Sequence, residues 1–145
     1  MTELATQETT AGLLIADRFR LLGMVGEGGM GTVFRAHDTE LEELVALKVL
    51  RRSLLDQPNS LARFRQEVKL ARRVAHPAVA RIYDLGRDGT DRFLTMEFID
   101  GESLGARMGR EGPMGPDAAV AVIRAVAQAL QAIHGAGVVH RDLKP

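Results

Sequence analysis

Apolar and polar positions alternate with a period near two along most of the first hundred residues, and the spacing switches to a helical one at two places. Residues 19–23 predict a strand, residues 26–31 a glycine-rich turn, and residues 32–36 a returning strand. Residues 44–50 form a β-branched and aliphatic run that predicts a third strand. Pro58-Asn59-Ser60 is a helix-start signal, and residues 61–74 carry helical spacing. Residues 79–85 and 92–99, with a turn at Arg87-Asp88-Gly89 between them, predict two more strands. The expected fold class is therefore α+β, with a five-stranded, largely antiparallel sheet over residues 18–99 and one inserted helix.

The second part of the chain changes character after Asp100-Gly101. Residues 103–109 predict a short helix, and Gly112-Pro113 and Gly115-Pro116 punctuate the stretch after it. Residues 117–134 predict a long helix that is apolar nearly all round, through Ala119, Val122, Ile123, Val126, Leu130 and Ile133, and Gly135 and Gly137 stop it. Such a helix expects neighbours on most sides, yet eight residues follow Gly137. They begin with a short apolar strand, Val138-Val139. Exposed apolar surface is therefore expected around Val122, Ile123, Val126 and Leu130. The expected organisation is a flexible leader over 1–16, a sheet region over 17–99 and a helical region over 100–145.

Composition narrows the function classes. The chain has 145 residues, one domain's worth, and 46% are hydrophobic, as in an ordinary soluble globular protein. Aromatics are 4% with no Trp, so a mostly aliphatic core is expected. Nineteen basic residues balance nineteen acidic ones, which gives no support for a nucleic-acid binder. The absence of Cys excludes disulfides, thiolate metal sites and cysteine nucleophiles. His37, His76, His134 and His140 are scattered without metal-ligand spacing, so no metal-ligating residue is assigned. The first eleven residues lack a basic signal-peptide region, and the apolar run at 13–16 is too short to span a bilayer. The expectation is a soluble, cytoplasmic chain with no membrane segment.

Three groups of residues carry chemistry. Gly26-Glu27-Gly28-Gly29-Met30-Gly31 matches G-x-G-x-x-G, a spacing that ordinary hairpin turns also produce. A dinucleotide-binding loop must open a helix, whereas residues 32–36 continue as strand, and Asp38 and Glu40 fall short of the ribose-acid spacing. A Walker A loop needs Lys before its Ser/Thr, and Gly31 is followed directly by Thr32. A glycine hairpin folding over phosphates remains, with Val33 placed to cover an apolar ring. Lys48 lies inside the third strand, where alternation puts Ala46, Lys48 and Leu50 on one face and Val45, Leu47 and Val49 on the other. It sits either on an exposed edge or against an anion. Phe64, Glu67, Ala71 and Val74 fall on one helical stripe, and a lone carboxylate there needs a partner, either Lys48 or a local arginine such as Arg63 or Arg65. Arg63, Arg65, Lys69, Arg72 and Arg73 read as a solvated helix face. In His140-Arg141-Asp142-Leu143-Lys144-Pro145, Asp142 is a possible proton acceptor and Lys144 a possible phosphoryl anchor; a charged terminus is the alternative.

These elements in this order resemble the protein kinase family, specifically the bacterial serine/threonine kinases related to the eukaryotic ones. The carriers are the 26–33 loop, Val45-Ala46-Leu47-Lys48, Glu67, Met96-Glu97-Phe98-Ile99-Asp100-Gly101 and the 140–145 segment. The resemblance implies a kinase-like fold with an N-lobe and the first helices of a C-lobe. It implies that the 26–31 loop, including Glu27, Gly29 and Met30, covers the ATP phosphates, and that Val33 and Ala46 sandwich the adenine. Lys48 would bind the α- and β-phosphates and pair with Glu67. Met96 would be the gatekeeper, Glu97 and Ile99 would meet the adenine through their backbone, and Asp100 or Glu102 would reach the ribose. Asp142 would orient and deprotonate the substrate hydroxyl, and Lys144 would steady the γ-phosphate.

The implied partners are ATP, Mg2+ and a protein substrate bearing Ser or Thr. The family's metal-holding Asn and Asp-Phe-Gly segment would fall beyond Pro145, so the chain is expected to be the ATP-binding part of a kinase and inactive alone. A non-catalytic module that binds a nucleotide or a partner is the alternative.

Overall fold

In a computed structural model, the structure describes residues 11–56 and 58–145. Six antiparallel strands form one sheet: β1 (Leu14–Ile15), β2 (Phe19–Gly28), β3 (Gly31–Asp38), β4 (Glu43–Leu50), β5 (Ile82–Asp88) and β6 (Asp91–Glu97), in the order β1-β2-β3-β4-β6-β5. Three helices lie close to their expected positions: α1 (Ser60–Ala71), α2 (Leu104–Glu111) and α3 (Pro116–Gly135). A 3-10 turn at Arg52–Leu54 leads from β4 towards α1.

The expected five strands are all present, and β1 is an addition. It is two residues long and apolar on a chain that otherwise reads as leader, so periodicity cannot detect it. Its pairing with β2, and the hydrogen bonds from Gly12 N to Leu21 O and from Leu21 N to Leu13 O, tie residues 12–15 to the sheet. Of the expected leader, residues 1–10 lie outside the described residues. Strand ends also differ from expectation. β2 runs on to Gly28 and β3 starts at Gly31, so the glycine loop is the end of a β-hairpin rather than a separate turn. β5 begins three residues later than expected, at Ile82. Val138-Val139 is not a strand: the chain leaves α3 through hydrogen bonds from Gly137 N to His134 O and from Val138 N to Ile133 O, and it finds no strand to pair with among the described residues.

The sheet splits the apolar side chains by period-two alternation. One face carries Phe19, Leu21, Phe34, Ala36, Val45, Leu47 and Phe93, a buried cluster extended by Ile15 and Val49. Phe19 and Phe93 meet edge to face at 5.6 Å. Gly86 is required beneath the Phe93 ring: a Cβ there would lie 2.2 Å from a ring carbon. The other face carries Leu50, Leu94 and Val68 of α1, with Phe64, Ile82, Leu85 and Met96 packed around them.

α3 is the one helix among the described residues long and apolar enough to cross a membrane by length and hydropathy alone. One side of it, through Val122, Val126, Leu130 and Ile133, faces α1 and the β5–β6 edge across a groove of about 600 Å3. Of the four residues expected to be exposed, Ile123 is, at 67%, whereas Val122, Val126 and Leu130 are half-buried in that groove.

At the β3–β4 turn, Asp38 is almost fully buried. Its carboxylate accepts from Arg18 Nε at 2.9 Å and Nη2 at 2.7 Å, and its Oδ1 also accepts from the backbone N–H of Glu40 at 3.0 Å. The Arg18 hydrogen bonds hold the Asp38 pKa below the ordinary carboxylate value, against the opposing effect of burial. A depressed folded-state pKa gives stability that is fully present above the unfolded value and lost as pH falls through the folded one.

Acid titration of folding by circular dichroism should accordingly show stability falling below about pH 4, and Asp38→Asn should flatten that limb while lowering stability at neutral pH by about 1–3 kcal/mol. Gly86→Ala should cost about 1–3 kcal/mol in denaturant melts, because Phe93 must move out of a filled core.

Candidate functional site

The sheet register builds the site. Across three adjacent strands Val33 lies opposite Lys48, and Lys48 opposite Leu94; two positions back along β4, on the same face, Ala46 lies opposite Met96. Directly opposed residues share a face, so Val33, Ala46, Lys48, Leu94 and Met96 line the side of the sheet that bears α1. Lys48 is on β4, an interior strand, so its sequence-level alternative of an exposed edge does not hold. Burial lowers the Lys48 pKa from its ordinary value; the Asp142 charge works the other way, and Lys144 adds to the lowering. Lys48 is thus a half-buried ammonium under the influence of a carboxylate in the C-terminal segment.

The glycine hairpin continues β2 and β3 just beyond Val33, at one end of this face. Gly28 pairs with Gly31, leaving Gly29 and Met30 as a two-residue tip. Gly31 adopts a φ of +148°, and a Cβ on it would lie 2.0 Å from the Val49 carbonyl oxygen. Only glycine lets the root of the hairpin lie flat on β4. Arg51 N also donates to Met30 O at 3.2 Å, and the Arg51 guanidinium meets Glu27 at 3.1 Å. By contrast a Cβ on Gly26, Gly28 or Gly29 would meet nothing within 4 Å, so their backbone is open to an approaching group.

The carboxylate on α1 does not behave as expected. Among the described residues no ion pair joins Glu67 to Lys48, nor to Arg63 or Arg65; Glu67 meets Arg141 at 3.4 Å, with both side chains more than half exposed. The stripe of α1 does put Glu67 beside Phe64, Ala71 and Val74 on the groove wall, but Lys48 is half-buried on the sheet and Arg141 reaches the carboxylate from solvent. Arg141 carries a left-handed φ of 62°, which turns the segment locally. Asp142 pairs with Lys144 at 3.4 Å, and its backbone N–H donates to His140 Nδ1 at 3.3 Å.

At the end of β6, Glu97 N donates to Arg81 O at 2.8 Å and the Glu97 carboxylate accepts from Arg81 N at 3.0 Å. Ile99 and Asp100 are exposed, and Glu102 is held by Arg110 of α2. Val25 is a residue that the sequence patterns do not single out. It is the extra residue of a β-bulge between the Met24–Phe34 and Gly26–Val33 pairs, 60% exposed just ahead of the loop. An apolar residue exposed next to a glycine run is a signal that composition hides, because strand alternation assigns it to neither face. No group of three or more His, Cys, Asp or Glu residues suited to a metal ion occurs among the described residues.

Comparison with known proteins identifies the family and agrees with the fold. The protein kinase domain model matches residues 19–145. Serine/threonine-protein kinase pkn3 of Myxococcus xanthus is 43% identical over 136 residues, covering 92% of this chain and 25% of that protein. Serine/threonine-protein kinase PknL of Mycobacterium tuberculosis is 39% identical over 145 residues, covering all of this chain and 36% of that protein. The chain therefore spans about a quarter to a third of these two relatives. Among solved structures, the Mycobacterium tuberculosis PknI kinase domain superposes with a TM-score of 0.83 at 27% identity, covering 99% of this chain and 57% of that one. A structure of Rad53 in complex with AMP-PNP superposes at 0.76 and 27% identity, covering 88% and 33%. With the protein kinase domain model matching residues 19–145 and relatives 39–43% identical over 92% or more of its length, this chain belongs to the protein kinase domain family.

Proposed function

We propose that this chain is the ATP-binding part of a serine/threonine protein kinase whose whole protein transfers the γ-phosphoryl group of ATP to Ser or Thr hydroxyls of protein substrates. The observation that carries the reading is Lys48: a half-buried ammonium on the α1 side of the sheet, opposite Val33 next to the glycine hairpin and under the influence of the Asp142 charge. A cation held in an apolar row gains from an anionic ligand beside it. The open backbone at Gly26, Gly28 and Gly29 supports phosphate approach, since a Cβ at any of them would project into that space. Likeness to a kinase solved with AMP-PNP supports the same nucleotide class.

Position supports the following roles. Val25, Val33 and Ala46 offer apolar cover for the adenine, and Met96 closes the back of its slot. Because Glu97 N is engaged by Arg81 O, its carbonyl is the group left for the adenine edge, followed by Ile99. With Glu102 held by Arg110, Asp100 is the freer carboxylate for the ribose. Asp142 accepts the proton of the substrate hydroxyl, and Lys144 beside it meets the γ-phosphate. Mg2+, when bound, would neutralise charge between the β- and γ-phosphates. The described residues form no cluster of three or more His, Cys, Asp or Glu fit to hold it.

A second reading, a module that binds nucleotide without transferring phosphate, is favoured by one observation: Glu67 lies on Arg141 and leaves Lys48 without its expected partner. The two readings differ in transfer and agree in binding.

Because burial lowers its pKa, Lys48 should react with a small amine-directed reagent at a pH below the ordinary lysine range, and ATP should protect it. Lys48→Met should weaken ATP binding by about tenfold or more. Labelling of Lys48 that is the same with and without ATP, read by peptide mass spectrometry, would overturn the binding assignment. The 145-residue chain should give no γ-phosphate transfer to a protein substrate; transfer that disappears in Asp142→Asn would show this chain to be catalytic by itself.

A further inference from the structure

The outward face of α1 is unusual for this chain. Arg65, Lys69 and Arg73 recur at intervals of four, so they stack along one stripe of the helix and its C-terminal turn, with Arg72 at its edge. All four are exposed. Arg72 has an ion pair, to Asp84 at 3.7 Å, whereas Arg65, Lys69 and Arg73 have none among the described residues. Helix α2 is different, with Arg107 on Glu111 and Arg110 on Glu102 and Glu111. The chain as a whole is neutral, so this concentration is local.

Two rules of helix stability run against the arrangement. Like charges four apart repel, and cations in the first turns oppose the helix dipole. Arg63 and Arg65 sit in that first half, and the first turn of α1 carries no acidic residue. Lys69 in the last turn and Arg73 just beyond it suit the dipole, but the repulsion along the stripe and the cations of the first half remain, and a complementary anion would relieve them.

The spacing defines that anion. Residues four apart on a helix rise by about 6 Å, and an extended peptide presents alternate side chains about 6.6 Å apart. A strand with acidic residues at every second position can set one carboxylate on each of Arg65, Lys69 and Arg73. The stripe carries no aromatic ring for stacking bases and no large apolar side chain for entering a bilayer. We propose that the outward face of α1 is a docking surface for an extended acidic segment of a partner protein. Glu67 lies on the same helix, so an occupant of the outer face bears on the element that carries the groove-side carboxylate. The proposal is independent of phosphotransfer.

The test measures fluorescence anisotropy of a short labelled peptide alternating Glu and Ser, titrated with the full chain at low and physiological salt. Binding should weaken with salt, and Arg65→Glu/Lys69→Glu/Arg73→Glu should weaken it by about tenfold or more. The neutral variant Arg65→Gln/Lys69→Gln/Arg73→Gln should give a smaller loss, with circular dichroism confirming that both retain the fold. Double-stranded DNA and phosphatidylserine vesicles are run alongside. Peptide binding unchanged in the charge-reversed chain, or DNA or vesicles binding the wild-type chain more tightly than the peptide, would overturn the proposal.

Discussion

The position of β4 inside the sheet is the constraint on which the rest depends. It is hydrogen-bonded on both sides, to β3 and β6, so it can neither slip nor turn without breaking two ladders. Period-two alternation then does the sorting: Val45 and Leu47 enter one buried cluster, with Val49 beside them, while Ala46, Lys48 and Leu50 face α1. A one-residue slip would bury the Lys48 ammonium among Phe19, Phe34 and Phe93, which desolvation forbids. The same packing that makes the core thus fixes the lysine on the functional face.

How much of this is legible in the sequence depends on whether a residue's partner is near in the chain. The alternation of residues 44–50 puts Lys48 on the correct face, and the apolar stripe of α1 puts Glu67 on the correct wall, because both are properties of single elements. β1 escapes detection because two residues cannot show a period. The extent of β2 and β3 is hidden because glycine signals a turn even where it continues a ladder, as at Gly28 and Gly31. The Glu67 partner is hidden for a further reason. The sequence offers Lys48, Arg63 and Arg65 as partners for Glu67, but the course of residues 138–145, including the left-handed Arg141 that brings its guanidinium to the carboxylate, is encoded in no local pattern.

The two sides of the groove differ in how firmly they are held. The sheet wall rests on Leu50, Leu94 and Val68, all buried. The α3 wall offers half-buried Val122, Val126 and Leu130, and the ion pairs of the 138–145 segment are exposed. Exposed pairs of this kind contribute about 0–1 kcal/mol each. The arrangement of Glu67, Arg141, Asp142 and Lys144 is therefore held weakly, while Lys48 is held by the fold itself.

The contact of Gly31 with the Val49 carbonyl has a mechanical meaning. It places the pivot of the glycine hairpin at its root, one residue beyond the Lys48 position on the neighbouring strand. Beyond it, among the described residues, the tip is tied back only through Arg51, by its N–H to Met30 O and its guanidinium to Glu27, so release of Arg51 would let Gly29 and Met30 lift without changing the separation between that pivot and the lysine. Lifting of the tip and placement of the ammonium would then be separate degrees of freedom, and a bulky group at position 31 would join them into one.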